Sequence, residues 1–298
     1  MRALIRTGDK SPQTLRLDPN YPEPTPTDHP GSYIIRTKAC ALTRQELTWP
    51  EPKTPDTSVP GLDFAGEIIS APKSQGEHKF KPGEHVYALT TFTWEGNARD
   101  ITAAHENELA LKPKGLSWEE TASIPLSALS AYQGLFVHGA LKPPKEGNNL
   151  GKRVLVTAAF GGVGLWGVQL AHQADAEVVG TCGTSNVEFV KSLGVDTVLD
   201  YRKVDLLEWC ARERGKVVSV AEPPDPKKPE DGVADGVQGV WFIVEPNGAQ
   251  LAEVTNLLEQ NKCQAIVNSV YELEQFEEAF KKLEAGHAKG KIILRVGV

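Results

Sequence analysis

The stretch Val154-Leu-Val-Thr-Ala-Ala-Phe-Gly-Gly-Val-Gly164, followed by Leu165-Trp-Gly-Val-Gln-Leu-Ala171, holds the residues whose types and spacing bear most directly on chemistry. An apolar run of strand type enters a glycine turn, and the turn opens a run of helical type. Gly161, Gly162 and Gly164 let the backbone come close to a ligand, with Ala159 and Val163 in the same turn. The start of a helix offers N–H groups without intrahelical partners and the positive end of the dipole, so a pyrophosphate is its natural occupant. A glycine cluster alone is weak. Here strand, turn, helix and the next strand, Glu177–Thr181, follow in the required order. The competing reading is a tight strand-to-helix turn with no ligand.

The cofactor type is read at the end of that next strand. An NAD site carries Asp or Glu about 20 residues past the glycine turn, on the ribose 2′-hydroxyl. This chain has Thr181-Cys-Gly-Thr-Ser-Asn186 there, without a carboxylate. The hydroxyls of Thr181 and Ser185 suit a 2′-phosphate, and Tyr201 and Arg202, after the third strand, reach toward the same group. The pattern favours NADP(H) over NAD(H).

Elements that would position this turn are legible on both sides of it. From Ser117 onward helical segments alternate with short apolar runs, beginning with a capping box at Ser117 and Glu120. Arg153–Ala158, Glu177–Thr181, Thr197–Asp200, Lys216–Val220 and Val240–Val244 read as strands, and Gly161–Ala174, Val187–Leu193 and Asp205–Arg214 as helices. Such alternation predicts a parallel sheet with right-handed crossovers. Residues 1–112 are instead β-rich, with strands at Ser32–Cys40 and Asp63–Ser70 and a turn at Lys81 leading into a third. The tail returns to mixed character: a helix over Leu273–Leu283, then a closing strand over Lys291–Val296. Glu222–Asp231 reads as a charged, proline-rich surface loop.

Composition sets the outer limits. The chain has 298 residues, 40% hydrophobic and 24% charged, which suits a folded protein of about two domains. Its net charge of −7, without a long basic run, argues against nucleic acid or an anionic membrane as partner. No uninterrupted apolar stretch is long enough to span a bilayer, and the first residues lack a signal peptide's apolar core, so the cytoplasm is the expected compartment. The four cysteines, Cys40, Cys182, Cys210 and Cys263, form no CxxC and read as reduced, packed thiols.

These residues resemble a known family, the zinc-independent branch of the medium-chain dehydrogenase/reductase superfamily that holds quinone oxidoreductases and enoyl reductases. The resemblance rests on Pro60–Glu67, Phe80–Tyr87, Ala122–Tyr132, Ala158–Ala171, Leu193–Tyr201 and Gly286–Lys291, in the family's order along nearly the whole chain. It implies an α/β protein: a GroES-like, β-rich catalytic domain over residues 1–115, a doubly wound Rossmann domain over 116–263, and a return to the catalytic domain over 264–298. Zinc-dependent relatives carry Gly-His-Glu where this chain has Gly61-Leu62-Asp63, and their four-cysteine lobe is absent, so no metal is expected. Cys40 stands where those relatives place a ligand. The resemblance puts Ala41–Trp49 beside the nicotinamide. Many members have Asn-Pro-x-Asp there, whereas this chain has Thr43-Arg44-Gln45-Glu46. Thr43 and Arg44 are the candidate donors to a substrate carbonyl; the alternative for Arg44 is a surface pair with Glu46 or Glu51. Ser130 aligns with a hydroxyl that contacts the nicotinamide, and Phe242 and Val244 lie in the segment that passes beneath it. Tyr87 and Trp94 read equally as substrate wall or as core.

The chain departs from the family after Tyr201. One short helix separates Asp200 from Gly215-Lys-Val-Val-Ser219, where the family has a further strand and helix. The expectation is that Lys216–Val220 moves beside Arg153–Ala158, giving a five-stranded sheet of order 3-2-1-4-5. A working variant, a splice or gene-model product and a deliberately shortened chain all remain open.

The function expected is NADPH-dependent hydride transfer to a quinone or an activated C=C (an enone), without metal, on a small apolar carbonyl, enone or quinone. The alternative is a cofactor-binding chain whose turnover is impaired. Metal-free alcohol dehydrogenation is weaker, since nothing would lower the alcohol pKa. The apolar run Val240–Val244 suits a homodimer paired through the last Rossmann strand, or an ordinary buried strand.

Overall fold

The computed structural model describes residues 1–7, 14–49, 59–73, 77–204, 216–224 and 238–297. The chain forms two compact units, Met1–Leu126 with Pro246–Val298, and Ser127–Glu245. The sequence reading places these divisions at 115 and 263. Residues 246–263 join the first unit because their helix is seated there: the Gly248 backbone lies against Leu109, and the buried Tyr87 hydroxyl donates to Leu251 O at 2.9 Å and meets Thr255 Oγ1 at 2.8 Å.

The first unit is built on strands β1 (Ala3–Thr7), β2 (Thr14–Asp18), β3 (Ser32–Leu42), β4 (Asp63–Ser70), β5 (His85–Leu89), β6 (Ile101–His105) and β7 (Ala110–Leu111). Helix α1 (Trp118–Ala122) follows, opened by the expected capping box: Glu120 N–H donates to Ser117 Oγ, and Ser117 N–H to the Glu120 carboxylate. β1 and β2 form an antiparallel ribbon. β3, β4, β5 and β7 join antiparallel in that order, with β6 on the start of β3. Apolar side chains of β3, β4, β5 and β6 close one core around Tyr33, Ile35, Phe64, Ile68 and Val86.

The second unit starts within α2 (Pro125–Tyr132), which widens into a π-helical turn over Gln133–Val137. Then come β8 (Arg153–Val156), α3 (Gly162–Gln173), β9 (Glu177–Cys182), α4 (Val187–Lys191) and β10 (Thr197–Asp200). These strands are parallel in the order β10-β9-β8. β11 (Lys216–Ser219) and β12 (Gln238–Trp241) pair in parallel with each other. The chain returns to the first unit through α5 (Gly248–Glu259), β13 (Val267–Glu272), α6 (Phe276–Glu284) and β14 (Lys291–Arg295). β14 pairs antiparallel with β3 and parallel with β13. The apolar face expected over Leu273–Leu283 is buried: Leu273, Phe276, Ala279, Phe280 and Leu283 pack on Cys40, Leu42, Ile292 and Leu294.

The five-stranded sheet expected from the shortened chain is not formed among the described residues. β8 pairs with β9 and no ladder joins it to β11, so strands 3-2-1 and the following pair stand as separate sheets. The expectation assumed that the vacated edge of β8 would be buried and that its backbone groups would therefore need a partner. β8 is instead half-exposed along Val154–Val156, and water can meet those groups. The ladder of β12 also stops at Trp241, short of the expected Val244. The helix read over Asp205–Arg214 and most of the loop at Glu222–Asp231 lie outside the described residues. Cys40, Cys182 and Cys263 are free and buried, whereas Cys210 lies outside the described residues.

Candidate functional site

The glycine turn between β8 and α3 is built by strain held in place. Ala158 takes φ 48°, a left-handed conformation that costs a non-glycine residue roughly 1–2 kcal/mol. Three bonds hold it: Ala158 N–H donates to Thr181 Oγ1 at 3.2 Å, Ala159 N–H to Thr181 O at 2.9 Å, and Gly161 N–H to Ala158 O at 2.9 Å. The chain then folds so closely on itself that a Cβ on Gly164 would lie 2.2 Å from Ala158 O. Gly161, the N-cap of α3, supplies no side-chain cap. Among the described residues the N–H groups of Gly162, Val163 and Gly164 have no acceptor, and these residues are only half-buried. An anion fits this position, because the orphan donors and the helix dipole point the same way. Thr181 itself is buried and spends its hydroxyl on the turn, so it shapes the site rather than facing a ligand.

The far end of β9 meets the segment after β10, as the sequence reading expects. A Cβ on Gly183 would lie 3.0 Å from Tyr201 Oη and 3.7 Å from Arg202 Nε, which brings Tyr201 and Arg202 to the turn that carries the exposed Ser185. One residue there escapes a linear reading. Asp200 accepts the Thr184 hydroxyl at 2.6 Å and the Arg202 N–H at 3.1 Å, with Lys203 Nζ at 3.6 Å. The Thr184 bond holds its carboxyl below the ordinary carboxylate value. The turn therefore holds a carboxylate after all, together with two cationic side chains.

Ser130 is buried on α2, and the same helix region fixes the segment that carries Phe242 and Val244. Gln133 clamps Glu245 with both ends of its amide: Nε2 donates to Glu245 O at 2.8 Å, and Glu245 N–H donates to Oε1 at 3.0 Å. Phe242 lies against Gly134 and over the His138 ring, with centroids 4.3 Å apart. Neither Gln133 nor His138 stands out in the sequence, because their partners lie about a hundred residues downstream.

In the first unit Thr43 sits at the end of β3, half-buried. Lys291 Nζ, at the start of β14, donates to Thr43 Oγ1 at 2.8 Å and pairs with Asp63 Oδ2 at 3.1 Å. Asp63 is fully buried, and its other oxygen accepts Leu126 N–H at 2.6 Å. Burial pushes the Asp63 carboxyl up, and the Lys291 ammonium pulls against it. Glu46 is buried and accepts Thr43 N–H at 3.1 Å, so it does not hold Arg44. Arg44 is exposed, its guanidinium lies over Gly286, and it has no ion pair among the described residues; Glu51 lies outside them. Tyr87 is core. Trp94 is half-buried between His29 and His105, at centroid distances of 5.0 and 4.4 Å. The Tyr21 hydroxyl bonds Glu95, and the Trp49 and Phe92 rings pack with centroids 6.4 Å apart.

Zinc-type donors do not fit here. Cys40 is fully buried, and burial pushes its thiol up. Its Sγ fills the space where a Cβ on Gly61 would stand. Leu62 offers no donor atom, and Asp63 is spent on Lys291. Among the described residues no group of three or more His, Cys, Asp or Glu could hold an ion. No helix among them is long and apolar enough to cross a membrane.

Comparison with known proteins agrees with this architecture. Residues 29–136 match the model of the alcohol dehydrogenase GroES-like domain, and residues 174–294 that of a zinc-binding dehydrogenase. The chain is 40% identical to a probable zinc-binding oxidoreductase, mitochondrial, of Arthroderma benhamiae, over 95% of this chain and 93% of that protein. That alignment runs over 313 positions, more than the 298 residues of this chain, so the relative carries residues that this chain lacks. It is 32% identical to a chloroplast envelope quinone oxidoreductase homolog of Arabidopsis thaliana, over 79% of each. A crystal structure described as an NAD-dependent alcohol dehydrogenase superposes with a TM-score of 0.79 at 23% identity, covering all of both chains, which shows the fold. A GroES-like unit, a Rossmann unit with an uncapped glycine turn, and these relatives lead to one conclusion: the chain is an oxidoreductase-type member of the medium-chain dehydrogenase/reductase superfamily.

Proposed function

We propose that this chain is an NADPH-dependent reductase that delivers hydride to a quinone or to the β-carbon of an enone, without a metal. The observation that carries the reading is the glycine turn at Ala158–Gly164, strained at Ala158, without a side-chain cap, and with the N–H groups of Gly162, Val163 and Gly164 lacking an acceptor among the described residues. A reduced nicotinamide held there supplies the hydride. Gly162, Val163 and Gly164 hold the pyrophosphate through backbone N–H groups, and Gly161, whose N–H is spent on Ala158 O, shapes the turn beside them. Ser185, Tyr201 and Arg202 hold a 2′-phosphate, with Lys203 offsetting the charge of Asp200. Ser130, Phe242 and Val244 contact the nicotinamide half. Thr43 donates a hydrogen bond to the substrate oxygen as negative charge builds on it, and Tyr21, Trp49 and Phe92 give the substrate rim its apolar character. The misfit of Cys40, Leu62 and Asp63 to zinc supports the metal-free part of the reading. The cytoplasm, and a homodimer formed through Val240–Val244, complete it.

The test is titration of the purified chain with NADPH, followed by cofactor fluorescence, with NADH as control and then a quinone and enone panel. Saturable binding that favours NADPH, and turnover insensitive to EDTA, are expected. Preference for NADH, or loss of activity on metal removal, overturns the corresponding part. A second reading, binding without turnover, is favoured by the separation of β8 from β11. Tight NADPH binding with no oxidation across the panel would select it.

A further inference from the structure

Three polar groups from distant parts of the first unit meet in its interior: Asp63 opening β4, Lys291 opening β14, and Thr43 closing β3. The Asp63 side chain is fully buried and that of Lys291 is 7% exposed. Burying such a pair costs several kcal/mol per ion, and an apolar pair of similar volume is often as stable or more so. Stability alone therefore does not account for it. The ammonium has a second bond, the 2.8 Å contact to Thr43 Oγ1. Lysine has protons to give and no lone pair to receive one, so in this contact the threonine oxygen must accept. A hydroxyl carries one proton, and with Lys291 donating into its oxygen that proton must point elsewhere. Among the described residues nothing accepts it. The β-branched side chain is stiff at χ1. The Thr43 N–H bond to Glu46 and the Gln45 N–H bond to Glu284 at 3.3 Å tie down the turn that follows.

We infer that Lys291, held by Asp63, is a positioning residue that makes the Thr43 hydroxyl a one-way, polarised hydrogen-bond donor to the substrate oxygen. The inference rests on the proposed reductase reading. In that reaction hydride, with its electron pair, is added to the β-carbon of the enone at the expense of the reduced nicotinamide. The C=C pair shifts so that negative charge collects on the carbonyl oxygen, and water supplies the proton that completes the saturated ketone. The donor to that oxygen is Thr43, and the fixed ammonium behind it strengthens the bond because each donor in a chain polarises the next.

The experiment compares Thr43→Val, Thr43→Ser, the neutralised pair Asp63→Asn with Lys291→Met, and Thr43→Val in that neutralised background. Each variant is checked by thermal melt, and the neutral pair avoids leaving one buried charge alone. Readouts are the NADPH dissociation constant, kcat and KM for an enone that the wild type reduces, and the isotope effect with NADPH deuterated at the transferred position. Thr43→Val should lower kcat about 100-fold, the scale of losing one oxyanion donor, raise the isotope effect and leave the NADPH dissociation constant unchanged. Thr43→Ser should restore most of the rate. The neutralised pair should lose rate similarly, and adding Thr43→Val to it should cost little more, because the residues act as one unit. A Thr43→Val enzyme with wild-type kcat overturns the inference, as does an equal cost of that change in both backgrounds. A wild-type chain that neither binds NADPH nor reduces any substrate removes the reductase reading, and this inference with it.

Discussion

Replacing Gly164 by alanine tests the cofactor turn at its tightest point. The added Cβ would lie 2.2 Å from Ala158 O, 2.8 Å from its carbonyl carbon and 2.9 Å from Ala159 Cα, all of them backbone atoms that cannot swing aside. Relief requires the start of α3 to move off the β8 turn, a strain of about 1–3 kcal/mol in a packed site. The orphan N–H groups move with it. Each such bond to a charged phosphate is worth roughly 1.5–3 kcal/mol, so losing one weakens NADPH binding by about 10- to 100-fold. Gly161→Ala is the control. Among the described residues its Cβ would meet only Ala158 O, at 3.4 Å, and its φ of −80° suits any residue. It should change affinity no more than about threefold, or about 0.7 kcal/mol. Titration of cofactor fluorescence on both variants, with melts run without ligand, separates lost binding from lost folding. Gly164→Ala binding as tightly as wild type would refute the reasoning, and so would Gly161→Ala losing as much as Gly164→Ala.

Further outcomes follow from individual contacts. Tyr87→Phe leaves Thr255 and Leu251 O without their buried partner and should cost about 1–2 kcal/mol, read as a lower midpoint in urea or heat. Tyr33, buried and donating to Glu106 at 2.6 Å, has its phenol pushed up to about 12 from an ordinary 10.0, with burial as the larger cause. Between those values the unfolded chain gives up this proton while the fold retains it, so stability falls as pH rises through the window. Tyr33→Phe should flatten that part of the alkaline limb, and an unchanged slope would count against the shift. Arg202→Ala should weaken NADPH more than NADH, because only the former carries the 2′-phosphate. Equal losses would place the phosphate elsewhere. Gln133→Leu should free Glu245 and lower the melting temperature of the second unit, followed through Trp166 and Trp241 fluorescence.

Much of the fold was legible because its signals are local. The Ser117 and Glu120 capping box, the buried run of β9 and the apolar stripe of α6 each depend on residues within a few turns or pleats of one another. The short ribbon of β1 and β2 and the two-residue β7 carry too little pattern to be read this way, and only their ladders reveal them. The expected pairing of Lys216–Val220 with Arg153–Ala158 failed for a different reason. It argued from a buried edge, and burial belongs to the assembled chain: β8 lies half-exposed, so its edge does not require a protein partner. Arg44 shows the same limit. Its sequence neighbour Glu46 turns inward to the Thr43 N–H, leaving the guanidinium over Gly286 from the far end of the chain.

By itself the sequence determined the alternation of strands and helices and the glycine turn at Ala158–Gly164. These follow from residue chemistry and from steric rules that act over a few bonds. Only the tertiary structure decided that Thr181 braces the turn instead of facing a ligand, that Asp200 joins the end of β9, and that Lys291 donates into Thr43 while Asp63 holds it. A hydrogen bond has a direction and a reach of about 3 Å, and which groups come within that reach is set by how distant strands close upon one another.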